Sequence, residues 1–192
     1  MKLIRNLLAL IGLATVAAVV AVYLRFGPQL TQLDPGAINV YSEFAQKVME
    51  SGDPAIAMMW AVPVADGVKP DDVVESLKSI AASHNFLFVG ESPLYKQIEA
   101  VTGQPYRYVN FLSFCDARVG AQMLDYHNEY SGFMPCRIAL VQNPDGKLWL
   151  YSMNLDMMIH GGRALPPELQ ASAVRVRDTI KAIMDGAAKG EF

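Results

Sequence analysis

The sequence has little cysteine and none of the short motifs that mark common catalytic sites. Two cysteines among 192 residues exclude a small scaffold held together by several disulfides. There is no Gly-x-Ser-x-Gly nucleophile elbow, no His-Glu-x-x-His zinc motif, no Cys-x-x-Cys pair, no phosphate-binding loop and no Cys-x-x-Cys-His haem attachment. We therefore expect a binding or accessory module rather than an enzyme, and we assign no catalytic residue.

An excess of positive charge is also missing. Of the 16 Lys and Arg residues, Lys2, Arg5 and Arg25 flank an apolar N-terminal run, which leaves 13 positive residues against 19 Asp and Glu, a net charge of −6. Such an acidic remainder is poorly suited to nucleic acid or to anionic lipid headgroups. We predict no nucleic-acid partner.

A long uncharged run stands at the N-terminus. Residues 7–24, LLALIGLATVAAVVAVYL, would span about 27 Å as a helix, close to the roughly 30 Å of membrane hydrocarbon. Lys2 and Arg5 precede the run, so the positive-inside bias predicts a single-pass protein of the inner membrane with its C-terminal domain outside, in the periplasm. A cleaved signal peptide is the alternative, although the only small-residue cleavage site, after Ala21, is poor.

The pattern divides the chain into a transmembrane anchor at 1–26, a linker and stalk helix at 27–54 and a folded domain at 55–188. Gly27-Pro28 predicts a turn after the anchor. In the stalk, apolar residues recur at helical spacing between positions 38 and 50. We expect this helix to pack on the domain or on the membrane surface, and a partner-binding helix is the alternative.

The domain alternates strand-like and helix-like segments. A strand is predicted over 55–64 and helices over 69–85 and 166–186, and Asn-Pro-Asp-Gly at 143–146 is typical of a hairpin turn. Asp116 is predicted to cap a helix that ends at Gly132. The order β-α-β-(α)-β-α-β-β-α predicts an α+β fold, a two-layer sandwich of a mainly antiparallel sheet backed by helices, preceded by one transmembrane helix.

Four segments resemble a known bacterial family. FCDARVG, FMPCRIALV, NPDGKLWLY and MNLDMMI are similar to successive positions of domain-of-unknown-function family 302, and the resemblance covers about residues 55–186. It implies a curved antiparallel sheet backed by helices, as in the TATA-binding protein, without implying DNA binding. Anchored members are associated with sulfur-oxidising bacteria, which implies a role in envelope redox or sulfur metabolism.

Both cysteines lie at the ends of strands that flank one predicted helix. If the strands are neighbours in an oxidising compartment, Cys115 and Cys136 are predicted to form a disulfide. Two inert thiols, a switchable dithiol, a sulfur-carrying thiol and a copper or haem site are the alternatives. For copper, His127 and Met134 would join the cysteines, because soft sulfur ligands favour Cu(I). Outside these alternatives we expect no cofactor.

A second candidate site consists of polar groups at strand ends. The ligand-pocket residues predicted in this way are Arg137, Asn154, Asp156 and Arg163. The methionines of MNLDMMIHGG are interpreted as packing residues, with strand alternation placing Met153 and Met157 on one face. The predicted partners are the membrane, through residues 7–24, and an envelope protein or a second copy of the chain.

Overall fold

The structure is a computed structural model that describes residues 2–192. Its helices are Lys2–Leu30 (α1), Ala37–Ser51 (α2), Pro54–Ala57 (α3), Pro70–Ser83 (α4), Leu94–Thr102 (α5), Ala117–Tyr126 (α6), Asp156–His160 (α7) and Pro167–Ala187 (α8). Its strands are Met59–Pro63 (β1), Leu87–Ser92 (β2), Val109–Cys115 (β3), Cys136–Gln142 (β4) and Leu148–Met153 (β5). A short 3₁₀ helix, Asn128–Phe133, connects α6 to β4.

The five strands form one open antiparallel sheet in the order β1-β5-β4-β3-β2. The β4–β5 hairpin closes where predicted, because Gly146 adopts a positive φ of 85° that the tight turn requires. In the β3–β4 ladder, Phe114 lies opposite Cys136. This arrangement confirms the predicted α+β fold and places the two cysteine-bearing strand ends side by side.

Helices α4 and α8 cover one face of the sheet. Alternate residues of β3 and β4 point to this face, and Leu112, Phe114, Ile138 and Leu140 are fully buried there. A smaller apolar cluster lies beside this core, where α6 and α7 pack against the first half of α8. The cavity described below lies within this second cluster.

The strand predicted over 55–64 begins later than expected, at Met59. Asp53 accepts a hydrogen bond of 2.7 Å from the backbone N–H of Ala55, and Pro54 occupies the first helical position, so the chain makes one helical turn before it enters the sheet. An aspartate followed by proline is a strong helix start. The Asp-Pro helix start therefore determines the local structure, although the apolar run that follows it favours a strand.

The strand alternation predicted for MNLDMMIHGG is wrong after Met153. The side chain of Asn154 accepts a hydrogen bond of 2.9 Å from the N–H of Asp156, and α7 then runs to His160. Met157 and Met158 are therefore neighbours on a helix. The helix capped by Asp116 is also shorter than predicted, because it leaves helical geometry at His127 (φ −154°) and continues as the 3₁₀ helix.

Helix α1 is long and apolar enough to cross a membrane, and its most apolar window is not buried against the rest of the chain. It extends through Pro28 to Leu30 and so passes the turn predicted at Gly27-Pro28. Proline fixes φ near the helical value but has no backbone N–H, so α1 lacks one hydrogen bond at Pro28. Helix α2 lies in the segment where helical spacing was predicted, and it packs on the domain, where the Tyr41 hydroxyl donates a hydrogen bond of 2.7 Å to the carbonyl of Gly161.

Candidate functional site

A cavity of about 50 Å³ lies where α6, α7 and α8 meet the ends of β3 and β4. We call it the sulfur cavity, because five of its side chains carry sulfur. These are Cys115, Met123, Met134, Cys136 and Met158. The remaining lining residues are mostly apolar, and the one carboxylate among them is Asp116. A volume above about 15 Å³ admits at least one water-sized group, so the cavity has room for an ion or a very small ligand.

The two cysteines enter the cavity from neighbouring strands. Cys115 is the last residue of β3, next to the Phe114 that lies opposite Cys136 on β4. The disulfide predicted between them is not formed in this structure, in which both side chains are free thiols. Their positions on adjacent strands agree with the geometry on which that prediction was based, and the disulfide stays a prediction for the oxidised protein.

Gly120 on α6 leaves open the space between two of the sulfur atoms. A Cβ atom at this position would lie 3.4 Å from Met134 Sδ and 3.7 Å from Cys115 Sγ. Both sulfur atoms therefore face one point above the glycine. The residue N-terminal to α6, Asp116, caps the helix with hydrogen bonds of 3.0 and 3.2 Å from the N–H groups of Arg118 and Val119.

Burial raises the pKa of both thiols. The pKa of Cys136 rises to about 11, mainly because the side chain is desolvated and secondly because Cys115 is close to it. Desolvation and then the charge of Asp116 raise the pKa of Cys115 above its usual value. Both cysteines are therefore protonated at neutral pH, which makes them weak nucleophiles.

A second depression, the methionine groove, adjoins the cavity and has a volume of about 380 Å³. It shares Tyr130, Phe133 and Met158 with the cavity. Three further methionines, Met58, Met153 and Met157, line it. Thioether side chains thus continue from the cavity wall to the protein surface.

The structure brings together two of the four predicted ligand-pocket residues, Asn154 and Asp156. Arg137 is exposed and lies over the Phe111 ring, 5.4 Å from its centroid. Asn154 accepts a hydrogen bond from the N–H of Asp156, the first residue of α7, and Asp156 forms an ion pair of 3.0 Å with Arg177. Arg163 is exposed and forms an isolated β-bridge with Leu33. Arg137 and Arg163 do not line the pocket of Asn154 and Asp156, and a ligand pocket formed by all four residues stays a prediction.

The structure brings together only some of the residues that were predicted as copper ligands. Met134 lines the sulfur cavity with both cysteines, whereas His127 is exposed and packs edge-on against Tyr126. Sequence reasoning missed Met123 and Met158 as cavity residues. The apolar face of α6 signalled Met123, because Val119 and Met123 recur at helical spacing, but Met158 was hidden by the wrong strand assignment.

A buried carboxylate ties the segment after α1 to the domain. Asp34 is 4% exposed and accepts hydrogen bonds from the Gly36 N–H at 2.7 Å, from His160 Nδ1 at 3.0 Å and from the Gln170 amide. We call these four residues the Asp34 clasp. Burial alone would raise the pKa of Asp34, but the three hydrogen bonds and the nearby imidazole together lower it below its usual value.

Comparison with known proteins gives a family and a fold. The family model described as "Domain of unknown function DUF302" matches residues 60–187. The crystal structure of an uncharacterized conserved DUF302 protein from Bacillus stearothermophilus superposes with a TM-score of 0.55 at 16% sequence identity, and the match covers 67% of this chain and 96% of that one. At this identity the likeness shows the fold alone. No curated protein matched the chain.

Proposed function

The chain belongs to the DUF302 family of domains of unknown function, and from that premise we propose that it is a membrane-anchored binding module. Helix α1 is the anchor, the domain lies outside the inner membrane, and a small ligand occupies the sulfur cavity. The single observation that carries the proposal is the cavity itself, a small apolar space lined by both cysteines of the chain. We place the module in envelope redox or sulfur metabolism.

The groups around the cavity support binding rather than catalysis. General acid–base chemistry needs a side chain that exchanges protons near the working pH. The one carboxylate in the wall, Asp116, caps α6 and also lies 3.4 Å from Arg175. Both thiols are held in the neutral form by burial. The cavity therefore offers an apolar contact surface and sulfur ligands, but its wall contains no side chain that is free to act as a general base near neutral pH.

A thiol-based redox protein or sulfur carrier is the second candidate, favoured by the neighbouring positions of Cys115 and Cys136. Such a function needs an accessible thiolate, which the raised pKa of both thiols opposes. Alkylation separates the two candidates. A binding module should react with iodoacetamide at pH 7 more slowly than a cysteine in an unfolded peptide, and a carrier should react faster at one cysteine.

Xenon provides a probe for the cavity, because apolar cavities admit this apolar atom. We would label the methionine methyl groups of the full chain in detergent micelles and record their NMR shifts under xenon pressure. The methyls of Met123, Met134 and Met158 should shift, and the methyl of Met49, which is 86% exposed, should stay in place. Equal responses at all four positions, or none, would contradict a ligand-accepting cavity.

A pair of glycine variants controls this experiment. Gly120→Ala adds one methyl group at ordinary contact distance from Met134 and Cys115, so it should reduce the xenon shifts without unfolding the domain. Gly132→Ala adds the same group where no atom lies within 4 Å, and it should leave the shifts unchanged.

A further inference from the structure

We infer that the sulfur cavity binds one monovalent copper ion, Cu(I), through the sulfur atoms of Cys115, Met134 and Cys136. The inference rests on the proposed function, because it names the ligand of the same cavity. Its first support is the composition of the wall. Both cysteines of the sequence and three of its ten methionines line a cavity of about 50 Å³.

The second support is the convergence of the sulfur atoms. The space above Gly120 lies within 4 Å of both Met134 Sδ and Cys115 Sγ, and no side chain fills it. Cys136 reaches the same cavity from the adjacent strand. Two sulfur atoms and a second cysteine residue thus border a volume that suits an ion better than a larger molecule.

The ligand types select the metal. Zinc sites draw their ligands from Cys, His, Asp and Glu. Across residues 2–192, no group of three or more of these residues is placed to hold a metal. Thioethers are soft ligands that suit Cu(I). A site of two cysteines and one methionine therefore favours monovalent copper over zinc or magnesium.

Binding requires both cysteines as thiolates. The S–H bonds of Cys115 and Cys136 break, their two protons leave to solvent, and two copper–sulfur bonds form, so that the bound site carries one negative charge. The thioether of Met134 adds a third sulfur ligand without charge. Copper and sulfur keep their oxidation states, so the step needs no electron donor or acceptor.

The methionine groove supplies a route to the cavity. Methionines usually fill apolar cores, but Met58 is 39% exposed while it lines the groove. Met158 belongs to both the groove and the cavity. A soft ion could therefore pass from one thioether to the next, from the surface to the thiols, along a groove whose wall also contains Glu129 and Asn154.

The test is a competition for Cu(I). The full chain in detergent micelles, kept reduced and free of oxygen, is titrated into the coloured complex of Cu(I) with bicinchoninate. We expect one copper ion per chain to be withdrawn. Cys115→Ser and Met134→Leu should each weaken binding more than about tenfold, because loss of even an outer-shell partner costs 10–100-fold. Met49→Leu, a change at an exposed methionine outside the cavity, should leave binding unchanged.

X-ray absorption of the copper-loaded chain should show sulfur neighbours and no nitrogen. Nitrogen neighbours, or equal affinity in Met134→Leu and the unsubstituted chain, would overturn the inference. Leucine is close to methionine in volume, so this variant is expected to fold. If xenon enters the cavity and copper does not bind, the copper inference fails and the proposed function stands. If xenon is excluded, the proposed function fails and the inference with it.

Discussion

Replacing Asp34 by alanine should lower the free energy of unfolding by about 3 kcal/mol. The carboxylate is 4% exposed and accepts three hydrogen bonds, from Gly36, His160 and Gln170. A hydrogen bond to a charged group contributes about 1.5–3 kcal/mol, so loss of the bonds from Gly36 and Gln170 alone costs about 3–6 kcal/mol. The His160 side chain is 22% exposed and can regain water, which places the expected loss at the lower end.

The measurement is urea unfolding of the full chain in detergent micelles, with two controls. Asp53→Ala removes one capping hydrogen bond at an exposed site and should cost about 1 kcal/mol. Asp34→Asn keeps the shape and one acceptor oxygen, so its effect should fall between those of the two alanine variants. If Asp34→Ala costs no more than Asp53→Ala, the clasp does not stabilise the domain.

The pH dependence gives an independent check of the clasp. The pKa of Asp34 is lowered in the folded state, so the unfolded state takes up this proton first as the pH falls. The stabilisation by Asp34 should be complete above about pH 4, near the usual carboxyl value, and should be lost progressively below it. The stability difference between the unsubstituted chain and Asp34→Asn should therefore shrink below that pH.

Three further predictions concern the rest of the chain. Arg177→Ala should cost about 1–2 kcal/mol in urea unfolding, since this side chain is 22% exposed and binds Asp156 at 3.0 Å, whereas Arg175→Ala, at a side chain 62% exposed, should cost less than about 0.5 kcal/mol. Alkylation of Cys136 should stay slow until the pH approaches 11, and protein isolated without reductant should lose both free thiols if the predicted disulfide forms. A reporter that works only outside the cytoplasm, fused after Phe192, should be active, and an active cytoplasmic reporter at that site would contradict the proposed topology.

Much of the fold could be predicted because its signals are local. Asp116 caps α6, Gly146 closes the hairpin and the apolar stripe of α8 is buried, as the sequence indicates. Helices α3 and α7 were missed because each is four or five residues long, too short for periodicity to distinguish it from a strand. In each case a side chain before the helix accepts a hydrogen bond from a backbone N–H in its first turn, Asp53 from Ala55 and Asn154 from Asp156.

The candidate site was less accessible to sequence reasoning. The neighbouring positions of Cys115 and Cys136 followed from the strand order, but the sulfur cavity also needs Met158 from α7 and the absence of a side chain at Gly120. Whether Met158 and Gly120 border the cavity depends on how α6 and α7 pack on the domain, and residue spacing in the sequence does not show this packing. Of the predicted polar pocket, Asn154 and Asp156 line one small pocket, whereas Arg137 and Arg163 lie elsewhere in the fold.

The Asp34 clasp also determines how far the domain can travel from the bilayer. Four residue steps separate the end of α1 at Leu30 from the docked Asp34, and even a fully extended chain would cover only about 14 Å. Turn hydrogen bonds from Thr31, Gln32 and Leu33 back to α1 shorten this distance further. If α1 spans the membrane, this short connection holds the domain next to the bilayer. A soluble partner has to come to the bilayer surface, whereas another membrane protein meets the domain at a high effective concentration.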